Sequence, residues 1–208
     1  MASTAKENIL KKIRLALSNP TPLPFPKSEG SNSVFTTPTD DLDVVFALEF
    51  TKLLGQFAYC LDEYDLKKQL NQLLLTKHWN KIYCVEDKLK LLLDHTDTNV
   101  SLSDCDTSIT TCEYLVARTG SIVLSSVGAS GRTASVYAPI HVCIAYTSQL
   151  VYDMKDALQV YKDKESTSLP SLITFATGPS RTADIEKTLV VGVHGPKEVY
   201  LFLVEDRL

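Results

Sequence analysis

The 208-residue sequence has no pair of cysteines at Cys-x-x-Cys spacing: Cys60, Cys84, Cys105, Cys112 and Cys143 are odd in number and dispersed. Iron–sulfur and structural zinc sites need closely spaced thiolates, so the chain is expected to hold no metal and no redox cofactor of its own. Cys84 and Cys143 lie inside apolar runs and read as buried, reduced core thiols. Long basic runs are also missing, and the net charge is −4. That excludes the electrostatic footprint of a nucleic-acid binder. No apolar stretch approaches the roughly 20 residues needed to span a bilayer, and charges interrupt the N-terminus where a signal peptide needs a continuous apolar run. The expected location is cytoplasmic. Internal repeats and the glycine spacings of Walker and dinucleotide fingerprints are lacking as well.

What is present is enough for one α/β domain, with 44% hydrophobic residues for its core. Ile9, Leu10, Ile13, Ala16 and Leu17 recur at helical spacing opposite Lys6, Lys11, Lys12 and Arg14, which predicts an amphipathic helix within residues 1–18. Alternate prolines then open a linker over residues 19–40, because proline blocks both helix and central strand. The remaining body is residues 41–208. A helical pattern runs from Leu42 to Phe57, with Asp40 or Asp41 placed to cap it and Gly55 weakening its end. A second helix is predicted over residues 62–78, a strand over 81–85, and shorter helices over 87–93 and 150–161. Near-continuous apolar runs at 121–125, 142–146, 172–176 and 199–204 predict the strands of an open, mostly parallel sheet with helices on both faces.

Two blocks carry the candidate chemistry. In Ile173-Thr-Phe-Ala-Thr-Gly-Pro-Ser-Arg-Thr-Ala-Asp-Ile-Glu186 a strand pattern runs into a turn and then a predicted helix start near Ala183. Gly178 and Pro179 turn the backbone, Ser180 and Thr182 offer hydroxyls for capping or ligand contact, and Arg181 offers a planar fork for carboxylate or phosphate. Asp184 and Glu186 are candidates for acid–base work, or else answer the helix dipole. Gly192-Val-His-Gly-Pro196 follows, with His194 a candidate proton shuttle. Upstream, Thr119-Gly120-Ser121 and Gly128-Ala-Ser-Gly-Arg132 flank a predicted strand, and His141 opens the next one. Arg132 and Arg181, at the ends of adjacent strands, would form a dicationic pocket for a small acid or phosphate. The ligand-binding set is therefore Thr119, Gly120, Arg132, His141, Gly178, Pro179, Ser180, Arg181, Thr182 and His194. Open parallel sheets bind ligands at the carboxyl ends of their strands, where these blocks are expected to line one cleft.

The run from Thr177 to Glu186, Gly192 to Pro196, and the upstream Ala117-Arg-Thr-Gly-Ser-Ile-Val-Leu124 with Gly131, Arg132, Ser135, Pro139 and His141 resemble the LUD domain family, in its lactate-utilisation protein C branch. The matches extend over roughly residues 105–204. Arg118 departs from the pattern, standing where that family usually has Glu. The resemblance implies a fold like that of the ribose-phosphate isomerase, glucosamine-phosphate deaminase and coenzyme A transferase group. It also implies a role in oxidising L-lactate to pyruvate beside iron–sulfur partner proteins, which would carry the redox centres. A stand-alone isomerase or transferase acting on a phosphorylated or coenzyme A-linked acid, and a non-catalytic sensor of metabolite anions, are the alternative readings. Self-association or partner binding through the N-terminal helix is a further expectation.

Overall fold

A computed structural model describes residues 5–18, 40–163, 170–183 and 189–206. The chain divides into two units, Met1–Thr37 and Pro38–Leu208. The first holds helix α1 (Ala5–Leu17), in line with its apolar periodicity. The second contains, in chain order, α2 (Leu42–Lys52), β1 (Gln56–Cys60), α3 (Glu63–Lys77), β2 (Ile82–Tyr83), α4 (Asp87–Lys90), β3 (Thr107–Thr111), β4 (Tyr114–Val116), β5 (Ser121–Ser125), α5 (Ala134–Tyr137), β6 (Ile140–Tyr146), β7 (Leu150–Val151), α6 (Met154–Asp163), β8 (Ile173–Ala176), β9 (Arg181–Ala183), β10 (Leu189–Val191) and β11 (Glu198–Val204). Among the described residues no helix is long and apolar enough to cross a membrane.

The main sheet has the order β1-β11-β6-β3-β2 and every pairing in it is parallel. Its central strands are apolar on both sides because both faces are covered. On β11, Tyr200, Phe202 and Val204 pack with Leu66, Leu70 and Leu74 of α3 and Leu89 of α4. The alternate residues Val199, Leu201 and Leu203 pack with Phe46 and Phe50 of α2 on the opposite face. The period of two in the strand thus divides one apolar run between two cores.

A second, four-stranded sheet of order β7-β4-β5-β8 joins α2 over that opposite face, contributing Leu115, Ile122 and Leu124 to the same core. Its outer side packs Val116 and Val123 against Ala157 and Tyr161 of α6. The runs at 121–125 and 172–176 therefore do not belong to the parallel sheet, as their composition had suggested. They pair antiparallel with each other, Ile122 opposite Ala176 and Ser125 opposite Ile173. The cause is a hairpin-like connection: Ala117–Thr119 forms one 3-10 turn, Gly120 follows with φ 58°, and β5 folds back on β4 with Val116 opposite Ser121. A connection this short permits only an antiparallel return.

Two other expectations change. The helix read through Phe57 stops at Lys52; the Gly55 N–H returns to the Phe50 carbonyl at 3.0 Å, and Phe57 belongs to β1, paired in register with Leu201. Asp41 occupies the N-cap position of α2, but its side chain makes no capping bond. By contrast Asp62 caps α3, accepting from the Asp65 N–H at 2.7 Å. The linker residues 19–39 lie outside the described residues.

Candidate functional site

Through Ala183 the block after β8 does not enter a helix. Arg181–Ala183 is a strand that pairs antiparallel with Leu189–Val191, Arg181 opposite Val191. Branched Thr182, Val190 and Val191 favour the extended backbone over the helix start expected near Ala183, and among the described residues no helix N-terminus stands there for Ser180 or Thr182 to cap. Asp184 and Glu186 lie outside the described residues.

The antiparallel pairing also separates the two arginine-bearing segments. Because the carboxyl end of β5 lies beside the amino end of β8, the segments leading to Arg132 and to Arg181 leave the small sheet at opposite edges. The two arginines do not extend adjacent strand ends, and the expected dicationic pocket is corrected accordingly. Both are exposed.

The glycine turns have distinct uses. Gly120 (φ 58°) and Gly178 (φ 70°) both press on the end of α2: a Cβ at 120 would lie 2.5 Å from the Phe50 backbone nitrogen, and one at 178 would collide with the Leu53 carbonyl oxygen. Only glycine combines the left-handed backbone with that approach. Between them the hydroxyls of Thr119, Ser121 and Thr177 form a chain, 2.7 Å from Thr119 to Ser121 and 2.9 Å from Ser121 to Thr177. The two sequence blocks do meet here, in a packed joint between the small sheet and α2.

His141 is likewise internal. It is 1% exposed on β6, its Nε2 lies 2.8 Å from the Thr110 hydroxyl, and burial pushes its pKa down to about 4. A neutral ring inside the sheet serves packing and one hydrogen bond; its expected place in the ligand cleft is corrected.

At the carboxyl edge of the main sheet, Glu86 follows β2 and gathers three donors: the Thr111 N–H at 2.9 Å, the Thr111 hydroxyl at 2.7 Å and the Ser130 hydroxyl at 2.7 Å. Ser125 donates to Glu113 at 3.0 Å nearby, and the pocket beside them measures only about 20 Å³. Glu86 thus ties down the turn at residues 128–131, a contact with no signal in the sequence beyond the small residues of the turn. That part of the edge is packed; beyond it, where β6 and β11 end, Asp40, Asp41, Leu42, Asp43, Thr147, Leu150 and Glu205 line a concavity of about 340 Å³.

A larger concavity is at the other edge. A groove of about 430 Å³ lies at the amino ends of β6 and β11, between residues 136–139 and residues 192–197. The Lys197 N–H donates to the Pro139 carbonyl at 2.8 Å, pinning its two walls together. Ser180 joins this region from the first block: its N–H donates to the Pro196 carbonyl at 2.9 Å, and its carbonyl accepts from the Gly192 N–H at 2.9 Å. A Cβ on Gly195 would lie 2.8 Å from the Ser180 Cβ, so the glycines around His194 are what allow the two segments to close up. His194 lines the groove, as do Tyr137 and Lys197, which the sequence reading missed. Gly178 and Thr119 belong to the α2 joint instead, Pro179 is buried beside it in sequence, and Thr182 is fixed only as part of β9.

Arg118, the residue that departs from the usual Glu, has a structural partner. Its Nε donates to Asp153 Oδ2 at 2.7 Å, and Asp153 is 3% exposed. Burial alone would push the Asp153 carboxyl up, yet the Lys155 N–H and the Arg118 guanidinium together hold it below the usual range. The pair ties the β4–β5 connection to the start of α6. All five cysteines are buried and unbridged, and among the described residues no group of three His, Cys, Asp or Glu gathers closely enough to hold a metal ion.

Residues 55–204 match the LUD domain. Lactate utilization protein C of Halalkalibacterium halodurans is 38% identical over 119 residues, 55% of this chain and 52% of that protein. The protein of the same name from Bacillus subtilis is 34% identical over 149 residues, 70% of this chain and 59% of its own length. The chain thus spans about half the length of these relatives. The crystal structure of a DUF162 family protein from Deinococcus radiodurans shares the fold, with a TM-score of 0.60 at 18% identity, covering 80% of this chain and 99% of that one.

Proposed function

The chain belongs to the LUD domain family, and from that premise we propose that it serves lactate utilisation as one subunit of a system oxidising L-lactate to pyruvate. The relatives named lactate utilization protein C support this reading. Oxidation of lactate to pyruvate releases two electrons and two protons, which need an acceptor. The dispersed, buried thiols of this chain suit a core and not a cluster, so the redox centres are assigned to iron–sulfur partner proteins. This subunit contributes a binding site for a small carboxylate or phosphate.

The observation that carries the binding role is the convergence of His194 and Lys197 on one open groove whose walls are pinned by backbone hydrogen bonds. A lysine at such a rim supplies a point charge for an anion, and histidine supplies a ring N–H donor. The test is reconstitution with iron–sulfur proteins of a lactate-utilisation system from the same organism. Stable co-purification and L-lactate-dependent dye reduction by the complex, absent from the isolated chain and lowered by Lys197→Glu, are expected. Lactate oxidation by the isolated chain, or full activity of the iron–sulfur proteins without it, would overturn the reading.

A further inference from the structure

Resting on that reading of the groove as an anion site, the geometry points to a ligand of nucleotide size, with its phosphate or carboxylate at Lys197 and His194 and a planar ring against Tyr137. The first argument is volume. The groove holds about 430 Å³, within the range of roughly 300–1,000 Å³ that suits ligands of drug or cofactor size. A three-carbon hydroxy acid would leave most of it to water and touch one wall at a time.

The second argument is the division of chemistry along the groove. Tyr137 is 73% exposed, and Val136 and Val193 are 39% and 53% exposed beside it, with Pro139 completing an apolar wall. A small acid has nothing to place there, whereas an aromatic face and a proline accept a planar ring at little entropic cost. The charged groups are fixed at the rim. Gly192 has φ 81°, and a Cβ there would collide with Lys197 Cγ, so glycine lets the aliphatic stem of Lys197 lie across the turn. The stem is thereby held against the turn while its amino group remains available for an anion.

Titration calorimetry on the full chain with ADP, inorganic phosphate and L-lactate as separate probes tests this. ADP is expected to bind at least about ten-fold more tightly than phosphate or lactate. Tyr137→Ala should weaken ADP about ten-fold, the lower part of the range for loss of a stacked base, and leave phosphate unchanged; Tyr137→Phe should restore ADP binding. Lys197→Glu should weaken all the anions that bind. If phosphate or lactate binds in a Lys197-dependent way and ADP binds no tighter, the small-anion reading stands and this inference is overturned. If no probe responds to Lys197→Glu, both fall. Because Tyr137 is largely exposed, its variants are expected to unfold at the wild-type temperature, which a melting curve checks.

Discussion

The joint around Gly120 and Gly178 and the groove around Gly192 and Gly195 look alike as text, since each is a glycine turn with a basic residue two or three positions away. In the folded chain they differ in kind. At the first, backbone meets backbone, and the space a side chain would take is filled by Phe50 and Leu53 of α2. At the second, the glycines admit Lys197 and Ser180 but leave an open groove beside them. A glycine reports a close approach; what approaches, a helix or a ligand, is set by the elements on the other side.

The largest effect is expected at the filled joint. Gly120→Val adds a branched side chain at φ 58° against the Phe50 backbone, and should cost about 4 kcal/mol by combining overpacking with left-handed strain. Urea unfolding measures it; a loss below about 1 kcal/mol would mean that α2 is not docked there.

The buried His141 comes next. Its ring is neutral in the folded protein, with a pKa pushed from 6.5 to about 4, while the unfolded chain takes up a proton below about 6.5. Stability from this group is therefore complete above pH 6.5 and declines as pH falls to 4, by roughly 3 kcal/mol over the window. His141→Gln should flatten that part of the pH–stability curve. An unchanged slope would place the charge uptake elsewhere.

Arg118→Ala should cost about 2 kcal/mol, because it leaves the buried Asp153 carboxylate without its guanidinium. Arg118→Glu, which introduces the residue more usual in the family, should cost more by setting two carboxylates together. If Glu is tolerated as well as Arg, the pair is not a brace.

The smallest effect belongs to the open groove, where Lys197→Glu should change unfolding free energy by no more than about 0.5 kcal/mol, as surface substitutions do. A loss as large as that of Gly120→Val would erase the distinction between the two regions.

Much of the scaffold was legible from local signals. The helix predicted over residues 62–78 formed as α3, Glu63–Lys77, because its apolar residues Leu66, Leu70 and Leu74 recur on one face. The strands of β6 and β11 were readable because burial on both sides demands continuous apolar sequence. The segments 121–125 and 172–176 had the same composition but another sheet and another direction, which apolarity alone does not encode. Of the candidate site, His194 and Ser180 were found through their glycine turns, while Tyr137 and Lys197 carried no local mark.

The sequence by itself determined the α/β class, the dispersal of the thiols and the positions where the backbone must turn, because each follows from residue chemistry acting over a few neighbours. Tertiary structure alone decided that His141 is a core residue, that Arg118 and Asp153 are partners although 35 positions apart, and that the candidate groove opens at the amino ends of β6 and β11 while Glu86 ties down the turn at residues 128–131. Those outcomes depend on which elements pack together, and the balance of burial that sets packing is summed over the whole chain.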